Sequence, residues 1–301
     1  MLFRSRFHVS RIEARFPPRG ALVDVGGGSV HVTEARPTGA TRASVLLIHG
    51  ASGNEADMMA PLGEALVARG FHVLAVDRPG HGWSDRIEAE TPDRQAALIR
   101  ASIEKRGVPR AIVVAHSLAG VVATNLALDH KDFVTGLALV APVTHPWPGG
   151  DVSWYYNVAT APMFGEAFNH TLAMPLGLAL LERTLGAIFA PQTPPGDYAV
   201  RTGAARVLRP SNFSANARDV SGTYEFVTRQ APRLKDIRTP TAIVTGDADG
   251  IVLTHVHSYG SARDIPGATL RVLAGVGHSP HWVAPEAVIE TIENVARRAG
   301  L

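Results

Sequence analysis

The chain has 301 residues, 46% hydrophobic and 19% charged, which is enough apolar material for a large core and too little charge for a disordered chain. It has no cysteine, which excludes disulfides, thiolate metal sites, iron–sulfur clusters and cysteine nucleophiles, and which suits the cytosol. The formal net charge is only +2 and the basic residues form no dense run, so nucleic acid is not an expected partner.

Residues 1–20, MLFRSRFHVSRIEARFPPRG, form a basic arm without the long apolar run of a signal peptide. Phe3, Phe7, Ile12 and Phe16 recur at roughly helical spacing, with Arg4, Arg11 and Arg15 between them. Two readings fit: an arm packed on the body, or a helix on a membrane surface that makes a weak peripheral contact. No stretch of about 18 apolar residues follows, so no transmembrane helix is predicted.

Residues 21–36 read as two short strands around the Gly26-Gly27-Gly28 turn. SVLLIHG (44–50) is a continuous apolar run, as expected of a strand buried on both faces. Residues 55–69 have helical periodicity and stop at Gly70. Strand FHVLAVD (71–77), loop RPGHGWSD (78–85) and a helix over 92–106 follow. Then come strand AIVVAHS (111–117), helix LAGVVATNLALDH (118–130) and strand VTGLALVAPV (134–143). The alternation stops there. Residues 144–236 carry helical patches, prolines and aromatics but no good strand. It resumes with strand TAIVTG (241–246), a helix near 254–264, strand ATLRVLAG (268–275) and a final helix near 283–299.

This order predicts an α/β fold, a mostly parallel doubly wound sheet of about eight strands. The core is 21–143 and 237–301, with 144–236 inserted as a helical cap. Ligands of such sheets bind at the carboxyl ends of the strands, so residues just after strands carry the functional reading.

Ser117 stands where a buried strand ends and a helix begins. A sharp turn there exposes the hydroxyl, and the next helix aims its free N–H groups at developing negative charge. The residues two before and two after must be small, and both are alanine, Ala115 and Ala119. Alone, such a serine could as well cap a helix. A serine nucleophile needs a base held by a third group. Asp247 and Asp249 follow the strand TAIVTG, and His278 follows the strand ATLRVLAG, in the order Ser…Asp…His.

With these residues the chain resembles an α/β-hydrolase-fold enzyme, of the esterase-like branch with a serine nucleophile and a helical cap. The resemblance runs from about residue 21 to the end. Leu47-Ile48-His49-Gly50-Ala51-Ser52 resembles the family's oxyanion loop, and Asp77-Arg78-Pro79-Gly80-His81-Gly82-Trp83-Ser84 its D-x-P-G-x-G-x-S loop. The Ser117 elbow and the G-x-x-D and G-x-G-H segments, with Pro285-Glu286 after the histidine, complete it. The elbow departs from G-x-S-x-G by its two alanines, and the cap agrees only in position and helical character.

The resemblance implies Ser117 as nucleophile, His278 as base and Asp249 as the acid that orients it, with Asp247 the competitor. The backbone N–H groups of Ala51 and Leu118 would form the oxyanion hole. The substrate would be a small acyl compound, and no metal or organic cofactor is expected; the 13 histidines show no H-E-x-x-H or similar spacing. Haloalkane dehalogenases and epoxide hydrolases of the family use aspartate at the elbow, and Ser117 argues against both. Carboxylic ester cleavage leads, followed by carbon–carbon hydrolysis of ring-cleavage products and then a small-ligand receptor with weak catalysis. His49 and His81 are expected to brace their loops. Candidate pocket residues are Ser52, His116, Trp147, Trp154, Met163, Phe164 and His281, with ordinary packing the competing role for the aromatics and His116.

Overall fold

Runs of Val, Ile, Leu and Ala with no polar interruption become strands covered on both faces. In β3 (Ala43–Ile48) the side chains of Leu46 and Ile48 enter one apolar cluster, and those of Val45 and Leu47 enter the cluster on the other face. The structure, a computed structural model, describes residues 2–87, 91–162 and 164–301, with side chains from residue 7 onward.

The other strands are β1 (Ala21–Asp24), β2 (Ser29–Ala35), β4 (Phe71–Val76), β5 (Ala111–His116), β6 (Val134–Val140), β7 (Thr241–Gly246) and β8 (Thr269–Leu273). They form one sheet in the order β1-β2-β4-β3-β5-β6-β7-β8. β1 and β2 pair antiparallel, β2 joins β4 antiparallel, and the remaining pairs are parallel. The mostly parallel eight-stranded sheet is the one expected.

Helices α2 (Glu55–Ala68), α3 (Pro92–Lys105), α4 (Ala119–Asp129), α10 (Thr254–Asp264), α11 (Pro280–Val283) and α12 (Pro285–Arg298) belong to the core. α4 is apolar all round, and its residues Ala119–Leu128 are all buried. Between β6 and β7 the chain is helical: α5 (Trp154–Thr160), α6 (Gly165–Thr171), α7 (Ala173–Phe189), α8 (Tyr198–Thr202) and α9 (Pro210–Gln230), with 3-10 turns at 204–208 and 231–236. α1 (Leu2–Arg15) packs on this insertion through Ile12, which is buried with Met174 and Leu208. Among the described residues no single helix is long and apolar enough to cross a membrane.

Two expected elements depart by more than a residue or two at an end. The strand expected over 134–143 ends at Val140, because Ala141 turns to a φ of +43°, outside the extended region. The single helix expected near 283–299 is two. Pro285 has no N–H, and Ala284 before it leaves the helical region, at φ −137° and ψ 57°, between α11 and α12.

Candidate active site

β5 delivers the chain into α4 with only Ser117 and Leu118 between them. Ser117 has a φ of +54°, a left-handed conformation that a non-glycine residue keeps only under constraint. The constraint is visible. Ser117 N donates to Val140 O at 3.0 Å, and Ser117 O accepts from Gly120 N at 2.8 Å and Val143 N at 2.9 Å. Ala115 and Ala119 are fully buried, so the turn accommodates their methyl groups. A Cβ on Gly50 would lie 2.8 Å from Cβ of Ser117, so the loop after β3 rests against Ser117. Beside it, the backbone N–H groups of Ala51 and Leu118 donate to no acceptor among the described residues.

His278 and Asp249 arrive from the ends of β8 and β7. A Cβ on Gly246 would overlap Val276 O, so only glycine lets these two loops close on each other. His278 Nε2 lies 2.9 Å from Ser117 Oγ, and His278 Nδ1 lies 2.8 Å from Asp249 Oδ2. Asp249 Oδ1 accepts from the N–H groups of Ile251 and Val252 at 2.8 and 2.9 Å. All three side chains are buried. Asp247 is apart: it is exposed, and its Oδ1 accepts from Gly275 N at 2.6 Å.

The other predicted residues fall elsewhere. His116 and His281, expected in the pocket, pack against each other with tilted rings, and His116 also packs against His278. The His116 ring lies 4.8 Å from His278 and 4.2 Å from His281, and His116 Nε2–H donates to His278 O at 2.9 Å. Burial, with His281 and His278 beside it, holds the His116 imidazole well below its usual pKa and therefore neutral. His116 thus braces the main chain at His278.

Sequence spacing shows no metal-ligand set, yet folding brings Asp57, His116 and His281 together, and likewise His31, Glu55 and Asp77. Two imidazoles on one tetrahedral ion hold their centroids roughly 5 Å apart. The rings of His116 and His281 are closer than that, with centroids 4.2 Å apart and planes tilted by 48°. In the second set His31 Nδ1 and Asp77 Oδ2 hydrogen-bond directly at 2.8 Å.

Trp154 and Phe164 are each 70% exposed and project from the cap, so the expected pocket role does not show for either. Trp147 Nε1 donates to Asp151 O at 3.1 Å, and its ring packs edge-on against Tyr224. Met163 lies outside the described residues. Leu118 lines a cleft of about 140 Å³ with Gln95, Asp219 and Phe226, where α9 meets the start of α3.

Sequence reasoning missed the cap residues that hold the loops. Ser52 N donates to Asn216 Oδ1 of α9 at 2.7 Å, next to Ala51. Gly277 N, beside His278, donates to Gln192 Oε1 at 2.9 Å. The buried Arg78 joins its Nη1 to Asp219 Oδ2 of α9 at 2.7 Å and its Nε to His49 O at 3.1 Å. His49 Nε2 accepts from Arg78 N at 2.9 Å, which is the bracing expected of it. Removing one partner of a buried ion pair leaves a charge without compensation. Asp219→Ala is therefore expected to destabilise the protein by about 3–5 kcal/mol, read from chemical denaturation.

Burial, reinforced by Arg78, pushes the His81 imidazole down to about 4, and burial with His145 does the same to His257. Below pH 6.5 the unfolded chain takes up protons that these folded sites refuse, so stability falls as pH drops from about 6.5 to 4. The fully buried His81 accounts for about 3 kcal/mol of this loss. Denaturation midpoints at neutral and acid pH measure it, and His81→Gln should flatten the fall.

A family model and three relatives place this sequence among known proteins. Residues 43–285 match the family model described as alpha/beta hydrolase fold. The pimeloyl-[acyl-carrier protein] methyl ester esterase of Edwardsiella ictaluri is 28% identical over 255 residues, 82% of this chain and 91% of the esterase. The 2-hydroxy-6-oxo-6-phenylhexa-2,4-dienoate hydrolase of Burkholderia cepacia is 26% identical over 256 residues, 81% and 84% of the two chains. Epoxide hydrolase A of Mycobacterium tuberculosis is 31% identical over 203 residues, 64% and 60%.

Proposed function

The chain belongs to the α/β-hydrolase fold family, and on that footing we propose that it is a serine hydrolase that cleaves a carboxylic ester through an acyl-enzyme. The observation that carries this reading is the hydrogen-bond line Ser117–His278–Asp249, at 2.9 and 2.8 Å. Asp249 Oδ2 accepts from His278 Nδ1–H, which leaves Nε2 free to receive the Ser117 proton. Ser117 Oγ attacks the carbonyl carbon, and the oxyanion is received by Ala51 N–H and Leu118 N–H, each such donor contributing roughly 3 kcal/mol. His278 returns the proton to the departing alkoxide. Water then enters and gives a proton to His278 as its oxygen adds to the acyl carbon, and His278 returns that proton to Ser117 Oγ as the C–O bond to Ser117 breaks and the acid leaves.

The elbow serine sets the chain apart from the epoxide hydrolase relative, since the resemblance implies aspartate there for that reaction. The dienoate hydrolase relative, matched over most of both chains, favours carbon–carbon hydrolysis as the second reading. The test is a panel of p-nitrophenyl esters from acetate to long chains, beside a yellow ring-cleavage dienoate. Ester turnover supports the reading, and the chain-length optimum reports the space for the acyl group. Loss of dienoate absorbance without ester turnover selects the second reading, and binding without turnover of either selects a receptor.

A further inference from the structure

We propose that Asn216, on the cap helix α9, is a positioning residue for the oxyanion hole, holding the loop that presents Ala51 N–H to the developing negative charge. The inference deepens the serine-hydrolase reading and rests on it. Ala51 lies between two peptide planes, and each is tied from outside. The Gly50–Ala51 peptide is trans, so its carbonyl and its N–H point in opposite directions. Gly50 O accepts from His49 Nδ1–H at 2.8 Å and from Arg78 Nη2 at 3.3 Å. Burial, with Arg78 and His81 beside it, holds the His49 imidazole well below its usual pKa and therefore neutral. Its Nε2 accepts from Arg78 N, so the single ring proton sits on Nδ1 and faces Gly50 O. That carbonyl is turned toward the buried guanidinium, and Ala51 N–H is turned away from it, free to receive an oxyanion.

The Ala51–Ser52 peptide is tied by the cap. Ser52 N donates to Asn216 Oδ1 at 2.7 Å, and Asn216 Nδ2 donates to Ser52 Oγ at 3.1 Å. Ser52 has a φ of +58°, which a non-glycine residue keeps only under constraint, and this two-bond clamp supplies it. Asn216 is 1% exposed and stands on the face of α9 that also carries Asn212 and Asp219, one turn away on either side. Asn212 Nδ2 donates to Gly80 O at 2.7 Å, in the loop of Arg78, and Asp219 holds Arg78 itself. One helix face therefore fixes both peptide planes at Ala51, the second directly and the first through Arg78. Burying polar side chains costs free energy unless each is paired, so these positions on α9 fix a register that apolar packing would leave loose.

Steady-state kinetics on p-nitrophenyl acetate test this. Asn216→Ala should lower kcat about 10- to 100-fold and leave KM within about twofold, because the displaced donor is needed only as charge develops. A phenyl trifluoromethyl ketone reads the same donor without turnover. Ser117 Oγ adds to its carbonyl carbon, the serine proton passes to His278 Nε2, and the carbonyl oxygen becomes an oxyanion. Its Ki should rise by a factor similar to the fall in kcat. Asn216→Asp keeps an oxygen for Ser52 N–H and should restore kcat to within about threefold of the parent. Should the alanine variant not fold, Asn216→Gln keeps the buried amide, displaces it by one methylene and carries the same expectation. A loss confined to KM or Tm, an unchanged Ki, or an aspartate variant no better than alanine would overturn the inference. Absence of ester turnover by the parent would overturn the proposed function and the inference together, whereas parent turnover matched by the variants removes the inference alone.

Discussion

Ser117→Ala is expected to lower kcat on p-nitrophenyl acetate by roughly four to six orders of magnitude, with little change in KM or Tm. The hydroxyl is the only atom group removed. It donates to His278 at the heart of the site, and the backbone bonds that hold the turn, from Ser117 N and to Ser117 O, are untouched. Alanine meets the same φ of +54°, so the strain of the elbow is unchanged. The residual rate reports what the oxyanion donors and substrate binding achieve without a nucleophile. Ester cleavage that persists near the parent rate would remove Ser117 from the mechanism.

Asp249→Asn should cost about four orders of magnitude in kcat, whereas Asp247→Asn should stay within about twofold. The asymmetry follows from hydrogen bonding. The N–H groups of Ile251 and Val252 both need an acceptor, so the amide oxygen of the introduced asparagine would stay with them. Its NH2 would then face His278 Nδ1, and that nitrogen would have to accept. The ring proton moves to Nε2, which can no longer take the proton of Ser117. At position 247 an asparagine still offers an oxygen to Gly275 N–H, in an exposed setting. Equal losses in the two variants, or the reverse order, would move the acid to Asp247.

The core was legible because a strand buried on both faces leaves an unmistakable apolar run, and because chemistry in such a sheet gathers at strand ends. Ser117 directly follows β5, and Asp249 and His278 lie three and five residues past the ends of β7 and β8. His116 was harder to place. It immediately precedes Ser117, and nothing in the local pattern showed its ring set against those of His278 and His281. Trp154 and Phe164 misled through residue type: an aromatic at the start of a cap reads as a pocket wall, yet both face outward. Asn216, Asp219 and Gln192 left no signal. Their partners lie 164, 141 and 85 residues away in sequence, and a polar residue between β6 and β7 carries no mark of which distant loop it will meet.

Those three cap side chains bear on how this scaffold can change. In a modular enzyme the covering segment could be exchanged to alter substrate preference while the machinery below stays intact. Here a foreign cap would bring a new cavity and at the same time strip the loop at Ser52, the buried guanidinium of Arg78 and the turn at Gly277 of their partners. Grafting therefore has to carry the equivalents of Asn216, Asp219 and Gln192 with it. New specificity is more accessible through point changes between these anchors than through exchange of the whole segment.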